Sequence, residues 1–469
     1  MGCRCDTKTG LIVGAVLAGV AALLGAILIP VGNMIIESTV KKETVLEQGT
    51  TAYETWTSVE TPVYRQFWIY NVQNPWEVVQ EGAKPIVQEK GPYTYRTRYL
   101  MKENITANSN NTVSFSLPSG AIFEPGLSVG SEQDVMVIIN IAVAAAYSLI
   151  PQGLHFILNT MINNSGVSLF QNRTVHELLW GYTDPTIGSV IGVFYPYNDT
   201  YDGPYNVFSG KDDISKVALI DRWRGHASLP FWDDNYCDMI NGSDASSFPP
   251  FVDKKKTLYF FSSDICRSVM GEFTGSVDLK GIEVYRYMLP KMTLAAPTVN
   301  PDNMCYCKDP VLTLNCTVAG VLDISSCRDG TPILISLPHF LHGSPELVEA
   351  LVGLNPNEDH HSTFLDVEPI TGFTLNFAKR LQVNIMYGPS KVIEILQKVQ
   401  NNTIIPILWL NETATLDDAT ADRLKGELFS RVEMLEAVQI SLMVIGVVLC
   451  VAFGVAACVV KRKSRNSLA

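Results

Sequence analysis

Residues Ala437–Val460 read AVQISLMVIGVVLCVAFGVAACVV and hold no charged side chain. A helix needs about 20 apolar residues to cross some 30 Å of hydrocarbon, so this run has only a membrane reading. At the other end of the chain Thr9–Ile36 is equally free of charge, and Leu11–Val31 reads LIVGAVLAGVAALLGAILIPV. That stretch outruns the apolar region of a cleaved signal peptide, about 7–15 residues, and is read as an uncleaved anchor. The chain therefore divides into a tail at 1–10, a span at 11–36, a large loop at 37–436, a second span at 437–460 and a tail at 461–469. Lys461, Arg462, Lys463 and Arg465 follow the second span at once, and Arg4 and Lys8 outweigh Asp6 before the first. Cations collect on the cytosolic side of a membrane, so both tails are expected inside and the loop outside.

The loop carries the marks of an oxidising, glycosylating compartment. Its nine Asn-x-Ser/Thr sequons lie at Asn104, Asn110, Asn163, Asn172, Asn198, Asn241, Asn315, Asn401 and Asn411, and none falls outside it. Cys237, Cys266, Cys305, Cys307, Cys316 and Cys327 also fall there. An even set in such a compartment implies three disulfides, whose pairing the count leaves open among roughly 15 possibilities. The rival is a zinc site, but Cys305-x-Cys307 is tighter than the usual ligand spacing. Cys3, Cys5, Cys450 and Cys458 lie in or beside the membrane on the reducing side, and Cys3, Cys5 and Cys458 are candidates for palmitoylation.

Composition agrees. Hydrophobic residues make up 47% and charged residues only 17%, below the roughly 25% of a soluble domain. The loop itself holds 29 Lys and Arg against 46 Asp and Glu, a net charge of −17. A nucleic-acid binder is excluded, because phosphate contacts need clustered cations. Within the spans small residues recur every four positions, at Gly10, Gly14, Ala18, Ala22 and Ala26 and at Gly446, Cys450, Gly454 and Cys458. Such spacing lets helices approach closely in lipid, so pairing of the spans, or a homodimer, is expected.

Strand-like segments, β-branched and aromatic between Gly, Pro and Asn, run through the loop at 63–72, 93–100, 257–261, 282–289, 332–337 and 373–385. Helical patterns interrupt them at about 131–162, 346–352 and 391–400. Val135–Ile150 is apolar but too short to span, and a third crossing would put Asn104 and Asn110 on the wrong side, so it is read as a helix of the outer domain. With no long linker or repeat, the loop reads as one β-rich domain, and an antiparallel barrel is the closed form that leaves no free edges.

Three features could carry chemistry. Gly126-Leu127-Ser128-Val129-Gly130 matches the G-x-S-x-G of a hydrolase nucleophile elbow, but Phe123-Glu124-Pro125 is a poor strand to precede it. A turn, with Ser131 capping the helix after it, fits better, and an esterase using Ser128 is the outside alternative. His360-His361 after Glu358-Asp359 offers no helical ligand pair and reads as a polar surface loop. No phosphate-binding loop is found, so no enzyme, metal or cofactor is expected. More informative is a gap from Val135 to Asn172 without one charged residue. Phe156, Ile157, Met161 and Ile162 sit there at helical spacing, and the sequons at Asn163 and Asn172 require the neighbourhood to reach the surface. Apolar helices at a glycosylated surface suit a lipid-collecting patch.

The chain resembles the class B scavenger receptors, and within that family the fatty-acid-translocating branch. The resemblance is carried by MGCRCDTKTGLIVGAV from Met1, VYRQFWIYNVQNP from Val63, KGPYTYR from Lys90, GAIFEPGLSVG from Gly120, VAAA from Val143, ELLWGY from Glu177 and FYPYN from Phe194. It continues through CDMINGSDASSFPPF from Cys237, FFSSDICRS from Phe260, LDIS from Leu322, ISLPHF from Ile335, GLNPNE from Gly353, EPITGFTLNFAKRLQVN from Glu368 and PILWLNET from Pro406. These motifs cover nearly the whole chain in order. They imply an α+β fold: a large antiparallel β-barrel ectodomain with inserted short helices and an apical helical bundle, flanked by two transmembrane helices. A hydrophobic tunnel would run through it.

The same resemblance implies disulfides Cys237–Cys305, Cys266–Cys327 and Cys307–Cys316. Around 147–176 it implies an apex whose ligand contacts fall on Leu154, His155, Ile157, Leu158, Met161, Asn164 and Arg173, with Phe260 and Phe261 in the tunnel. Implied partners are long-chain fatty acids, oxidised lipoproteins and phospholipids, thrombospondin (over about Tyr95–Ile122), collagen, and cytosolic signalling kinases through the tails. Thr94 matches a phosphorylation position, and Lys461 and Lys463 match ubiquitinated lysines. The implied location is the plasma membrane, in lipid rafts, with passage through the Golgi. Asn164 stands where the fatty-acid receptors carry a lysine, as does the neighbourhood of Gly166, leaving Arg173, His155 and His176 as the nearest cations. The lysosomal branch, which carries an enzyme on its apical helices, and the high-density-lipoprotein receptor branch are the alternatives. The tail KRKSRNSLA lacks an acidic dileucine signal, which argues against the former.

Overall fold

A computed structural model describes residues 7–58, 61–308, 314, 316–426 and 430–466. The chain separates into two units, residues 44–416 and a helical unit built from residues 1–43 and 417–469. Four helices matter for function: α1 (Thr7–Glu43), α2 (Ile141–Leu149), α3 (His155–Ser165) and α4 (Ser430–Asn466).

In the helical unit α1 and α4 pack along one another, and the most apolar 18-residue windows within Thr9–Glu43 and Ala437–Val460 have mean hydropathies of 2.7 and 2.9. Both are long and apolar enough to cross a membrane, which fits a double-pass membrane protein. Small residues form their seam. A Cβ on Gly25 would lie 2.6 Å from the Met443 backbone nitrogen, one on Gly14 would lie 2.6 Å from the Phe453 ring, and one on Gly446 would collide with the backbone of Ala22. Ala18 is buried at the same seam, whereas Gly10 and Gly454 meet nothing. Without a hydrophobic effect between helices in lipid, such close backbone approach is what holds a pair together. The α1 helix continues past Ile36, ending with Lys41 and Lys42 in its last turn, where cations suit the helix dipole.

The second unit is organised by an eleven-stranded sheet. Nine strands form its path: β1 (Tyr64–Val72), β2 (Val87–Thr97), β3 (Ala121–Phe123), β4 (Leu258–Ser262), β5 (Arg267–Leu279), β6 (Ile282–Met288), β7 (Phe364–Val367), β8 (Thr374–Tyr387) and β9 (Thr403–Thr415). Their order is β4-β5-β6-β7-β8-β9-β1-β2-β3, antiparallel throughout. A short strand at Leu334–Ser336 pairs with β8, and one at Leu322–Asp323 pairs with it in turn. Alternation sends Phe67 and Ile69 of β1 to one face and Trp68 and Tyr70 to the other. Phe67, Ile69, Ile405 and Leu408 are wholly buried. Disulfides join Cys237 to Cys305, Cys266 to Cys327 and Cys307 to Cys316. The grouping of Asp234 with Cys237 and Cys305 is thus no zinc site, since both sulfurs are spent on a bridge.

The sheet differs from the expected barrel. Closure would need β3 against β4, and among the described residues these edges do not pair. β3 has three residues and β4 five, too little ladder to span a seam. The neighbouring strands instead form a separate four-stranded sheet, in the order Ile220–Trp223, Thr200–Phe208, Thr112–Ser119, Glu103–Ala107. Two helical expectations also give way. Val135–Ile139 is a strand paired with Phe170–Thr174, and α2 begins only after Asn140, whose side chain accepts the Val143 N–H. At 391–400 there is a single 3₁₀ turn, Glu394–Leu396, held by Ser390 Oγ, which accepts from Val392 N and Ile393 N.

Candidate functional site

The charge-free stretch folds into α2 and α3. Gly166, at φ 64°, ends α3 in a left-handed conformation that costs glycine little. One flank of α3 is sealed: His155, Leu158 and Ile162 are buried. The adjoining flank carries Leu154, Ile157 and Met161, one helical turn apart, and these stay 45%, 44% and 38% exposed. Leu149 at the end of α2 and Phe156 are each 57% exposed. The apolar arc is therefore wider than the core beneath it, and half of it faces water. Asn164 is exposed at its end.

The expected cationic neighbours do not serve this face. His155 is buried, its Nε2 3.0 Å from the Ile150 carbonyl oxygen, because a ring on the sealed flank packs against Tyr147. The Arg173 guanidinium lies 3.8 Å over the Tyr182 ring, and only His176 is exposed. Leu158, expected to meet ligand, belongs to the core. Phe261 is buried against Trp223 and Phe260 is half-buried. A cleft of about 510 Å³ opens elsewhere, walled by Glu89, Lys90, Tyr93, Asp134 and Met136, and neither phenylalanine lines it.

Other expected residues are placed as follows. Ser128 Oγ donates to the Glu124 carbonyl and accepts the Thr94 N–H, so its hydroxyl holds a turn together. Thr94 is fully buried and donates to the Leu127 carbonyl; a kinase reaches it only if that turn swings away. Asn104, Asn110, Asn163, Asn172, Asn198 and Asn401 are exposed, and Asn241 is half-buried. Asn411 is also half-buried, and its Nδ2, the atom a glycan would occupy, donates to Gln66 Oε1 on β1. Asn411→Gln is therefore expected to leave the mass of the cell-expressed protein unchanged on a gel, and Asn401→Gln to lower it by one glycan. Cys458 is exposed on α4. Cys3, Cys5 and Asn315 lie outside the described residues, as do the side chains of Lys461 and Lys463.

One polar cluster escaped the sequence reading. His361, taken for surface, is buried and stacked on His339 at 4.4 Å between ring centres. His339 Nδ1 accepts the Asn355 N–H, so Nε2 carries the proton and donates to Glu89 Oε2 at 2.6 Å. Trp409 Nε1 donates to the same oxygen at 2.7 Å, and Trp409 stacks on Trp68 at 3.9 Å. Burial works against a charged Glu89, but the hydrogen bonds of His339 and Trp409 prevail and hold its pKa below the usual value. Burial, with His339 beside it, lowers His361 to about 4. Glu89 belongs at once to this cluster and to the cleft wall. The adjacent histidines were the visible signal, but the partners come from three distant segments.

A family model described as the CD36 family matches residues 15–457. Lysosome membrane protein 2 of Homo sapiens is 37% identical over 406 residues, covering 83% of this chain and 82% of that protein. The Rattus norvegicus protein of the same name is 36% identical over 404 residues with the same coverage. Scavenger receptor class B member 1 of Cricetulus griseus is 32% identical over 441 residues, covering 91% of this chain and 85% of that protein.

Proposed function

Because this chain belongs to the CD36 family, that of the class B scavenger receptors, we propose that it is a membrane receptor for lipids, collecting long-chain fatty acids and oxidised lipoproteins on the exposed face of α2 and α3. The observation that carries this reading is the row of Leu154, Ile157 and Met161, with Leu149 and Phe156, left in water on helices without a charge. Contiguous exposed apolar surface of this kind marks an interaction site. From there a fatty acid would pass through the interior beside the large sheet toward the bilayer. Burying about 14 methylenes gains on the order of 11 kcal/mol before ordering costs. A bilayer offers a similar gain, so such a path passes its cargo on instead of trapping it. Thrombospondin-type modules would meet the hairpin region from Tyr95 to Ile122, a surface separate from this path.

The triple change Leu154→Ser, Ile157→Ser and Met161→Ser in the full-length chain tests the reading. Capture of oxidised lipoprotein particles and the association rate of a fluorescent fatty acid are each expected to fall about tenfold. The melting temperature should hold, because exposed positions contribute little to stability. Undiminished capture would remove this face from the function.

A second reading, a receptor of the lysosomal membrane, leans on the relatives of that name. Surface biotinylation of the full-length chain in cells separates the two. Labelling at the surface supports the first, and residence only in acidic vesicles supports the second.

A further inference from the structure

Asp253-Lys254-Lys255-Lys256 carries a net charge of +2 within a segment, 37–436, whose total is −17. All four residues are exposed. Among the described residues no ion pair or hydrogen bond occupies any of the three ammonium groups. Asp253 is spent on the turn itself: its Oδ1 accepts the Lys255 N–H at 3.0 Å and its carbonyl accepts the Lys256 N–H at 2.9 Å. The lysines are thus displayed on a turn that its own backbone closes.

The flanks of the turn are fixed. Before it, Phe248 N donates to the Gly372 carbonyl at 2.8 Å, Phe251 N to that of Ile370 at 3.1 Å and Val252 N to that of Pro369 at 2.7 Å. After it, Leu258 opens β4 opposite Gly271 of β5. Val252 and Leu258 pack on the buried cluster of Phe248, Tyr287, Leu365 and Val367. Between them Phe251 faces away. It is 43% exposed and held at φ 61°, a conformation rare for a bulky residue. Strain of this kind persists only where the surroundings impose it, and it gathers at binding sites. The same flank marks one end of the sheet. Leu375 accepts the N–H of Leu416, the last residue of this unit, at 2.8 Å, and Tyr64, where the chain enters β1, faces Thr413. By connectivity, both covalent links to the apolar helices leave from this end.

We propose that the turn from Phe251 to Lys256 docks on the bilayer in which the chain is anchored, with Lys254, Lys255 and Lys256 on the phosphates of anionic phospholipids and Phe251 among their glycerol groups. Aromatic rings and lysines are the side chains that settle at a membrane–water interface, an apolar body below and a charged tip at the headgroups. Three ammonium groups on one turn select anionic over zwitterionic lipid, since each gains about fivefold in affinity near an anionic surface. A sulfated polysaccharide would meet the same charges but leave the exposed ring unused. Glu283, on β6, and Asp253 both act on the Tyr285 hydroxyl, so a long polyanion running on from the turn would meet carboxylates. The contact goes beyond the lipid-receptor reading and does not depend on the face of α3.

The test uses the full-length chain in single-protein nanodiscs of phosphatidylcholine, with and without phosphatidylserine, acetylated by a water-soluble reagent and read by mass spectrometry. Lys391 and Lys398, exposed and beyond the other end of β8, serve as internal references. Relative to them, Lys254, Lys255 and Lys256 are expected to label about fivefold more slowly when phosphatidylserine is present, and molar salt should restore the rate. Phe251→Ser should remove about half of the protection. Lys255→Glu with Lys256→Glu should leave Lys254 unprotected. All three positions are exposed, so melting temperatures should hold. Equal labelling in the two discs, or protection that survives salt, would overturn the bilayer contact. Protection by heparin in detergent, with none in either disc, would replace the bilayer with a sulfated polysaccharide.

Discussion

Serine at both Cys266 and Cys327 is expected to lower the free energy of unfolding by about 4 kcal/mol, the entropy of closing a loop of 61 residues. That is a large share of the 5–15 kcal/mol that a folded domain commands. The bridge also positions what surrounds it: Trp232 Nε1 donates to the Cys266 carbonyl at 2.8 Å, and Arg328 holds the turn that carries Asp264. Opening Cys307–Cys316, only 9 residues apart, should cost less, about 2.5 kcal/mol on the same argument. Urea midpoints of the two double variants, read against the parent, check the ordering. Equal losses would mean that native packing around the bridges, and not closure of the chain, sets their worth.

Acidification is expected to weaken the fold through His361. Its ring titrates near 6.5 when unfolded and at about 4 when buried beside His339. Between those values the unfolded chain takes up a proton that the native state refuses, so stability falls as pH drops from about 6.5 toward 4 and levels off below. Allowing for solvent screening, the loss by pH 4.5 is about 2 kcal/mol. Glu89 acts in the same direction at lower pH: its pKa is held down in the native state, so its contribution is present above about pH 4.5 and fades below it. Melting temperatures at pH 7.4 and 4.5, for the parent and for His361→Phe, check this. Phenylalanine keeps a flat ring on His339 but cannot titrate, so the gap between the two pH values should narrow. An unchanged gap would acquit His361. A receptor of acidic vesicles would have to bear this cost, and one at the cell surface would not.

The two long apolar helices and many strands of the large sheet were legible because each is a local pattern: uninterrupted apolar runs, and alternation in Tyr64–Val72 or Thr374–Tyr387. β9 was overlooked as a strand because Pro406 interrupts its pattern, although the ladder accommodates it with a register shift at Val383/Asn384. The strand at Val135–Ile139 was hidden in a longer apolar run that reads equally well as helix, and only pairing with Phe170–Thr174 decides it. The exposed apolar face of α3 was partly legible, since the absence of charge from Val135 to Asn172 is a sequence fact. Which half of α3 is sealed was not, because His155 and Leu158 look no different from Leu154 and Ile157 until a core lies beneath them. The charged row that Arg65, Glu412 and Lys379 form across β1, β9 and β8 was invisible for another reason. Arg65, Asp264, Lys379 and Glu412 each look like ordinary surface charge on their own strand or turn, and register alone unites them.

Pairing of the sheet's first strand with its last, Tyr64 opposite Thr413, has a mechanical consequence. The chain enters and leaves the large sheet at neighbouring points on the same end, so tension applied through both exits would peel β1 from β9 one bond at a time, the weakest way to load a ladder.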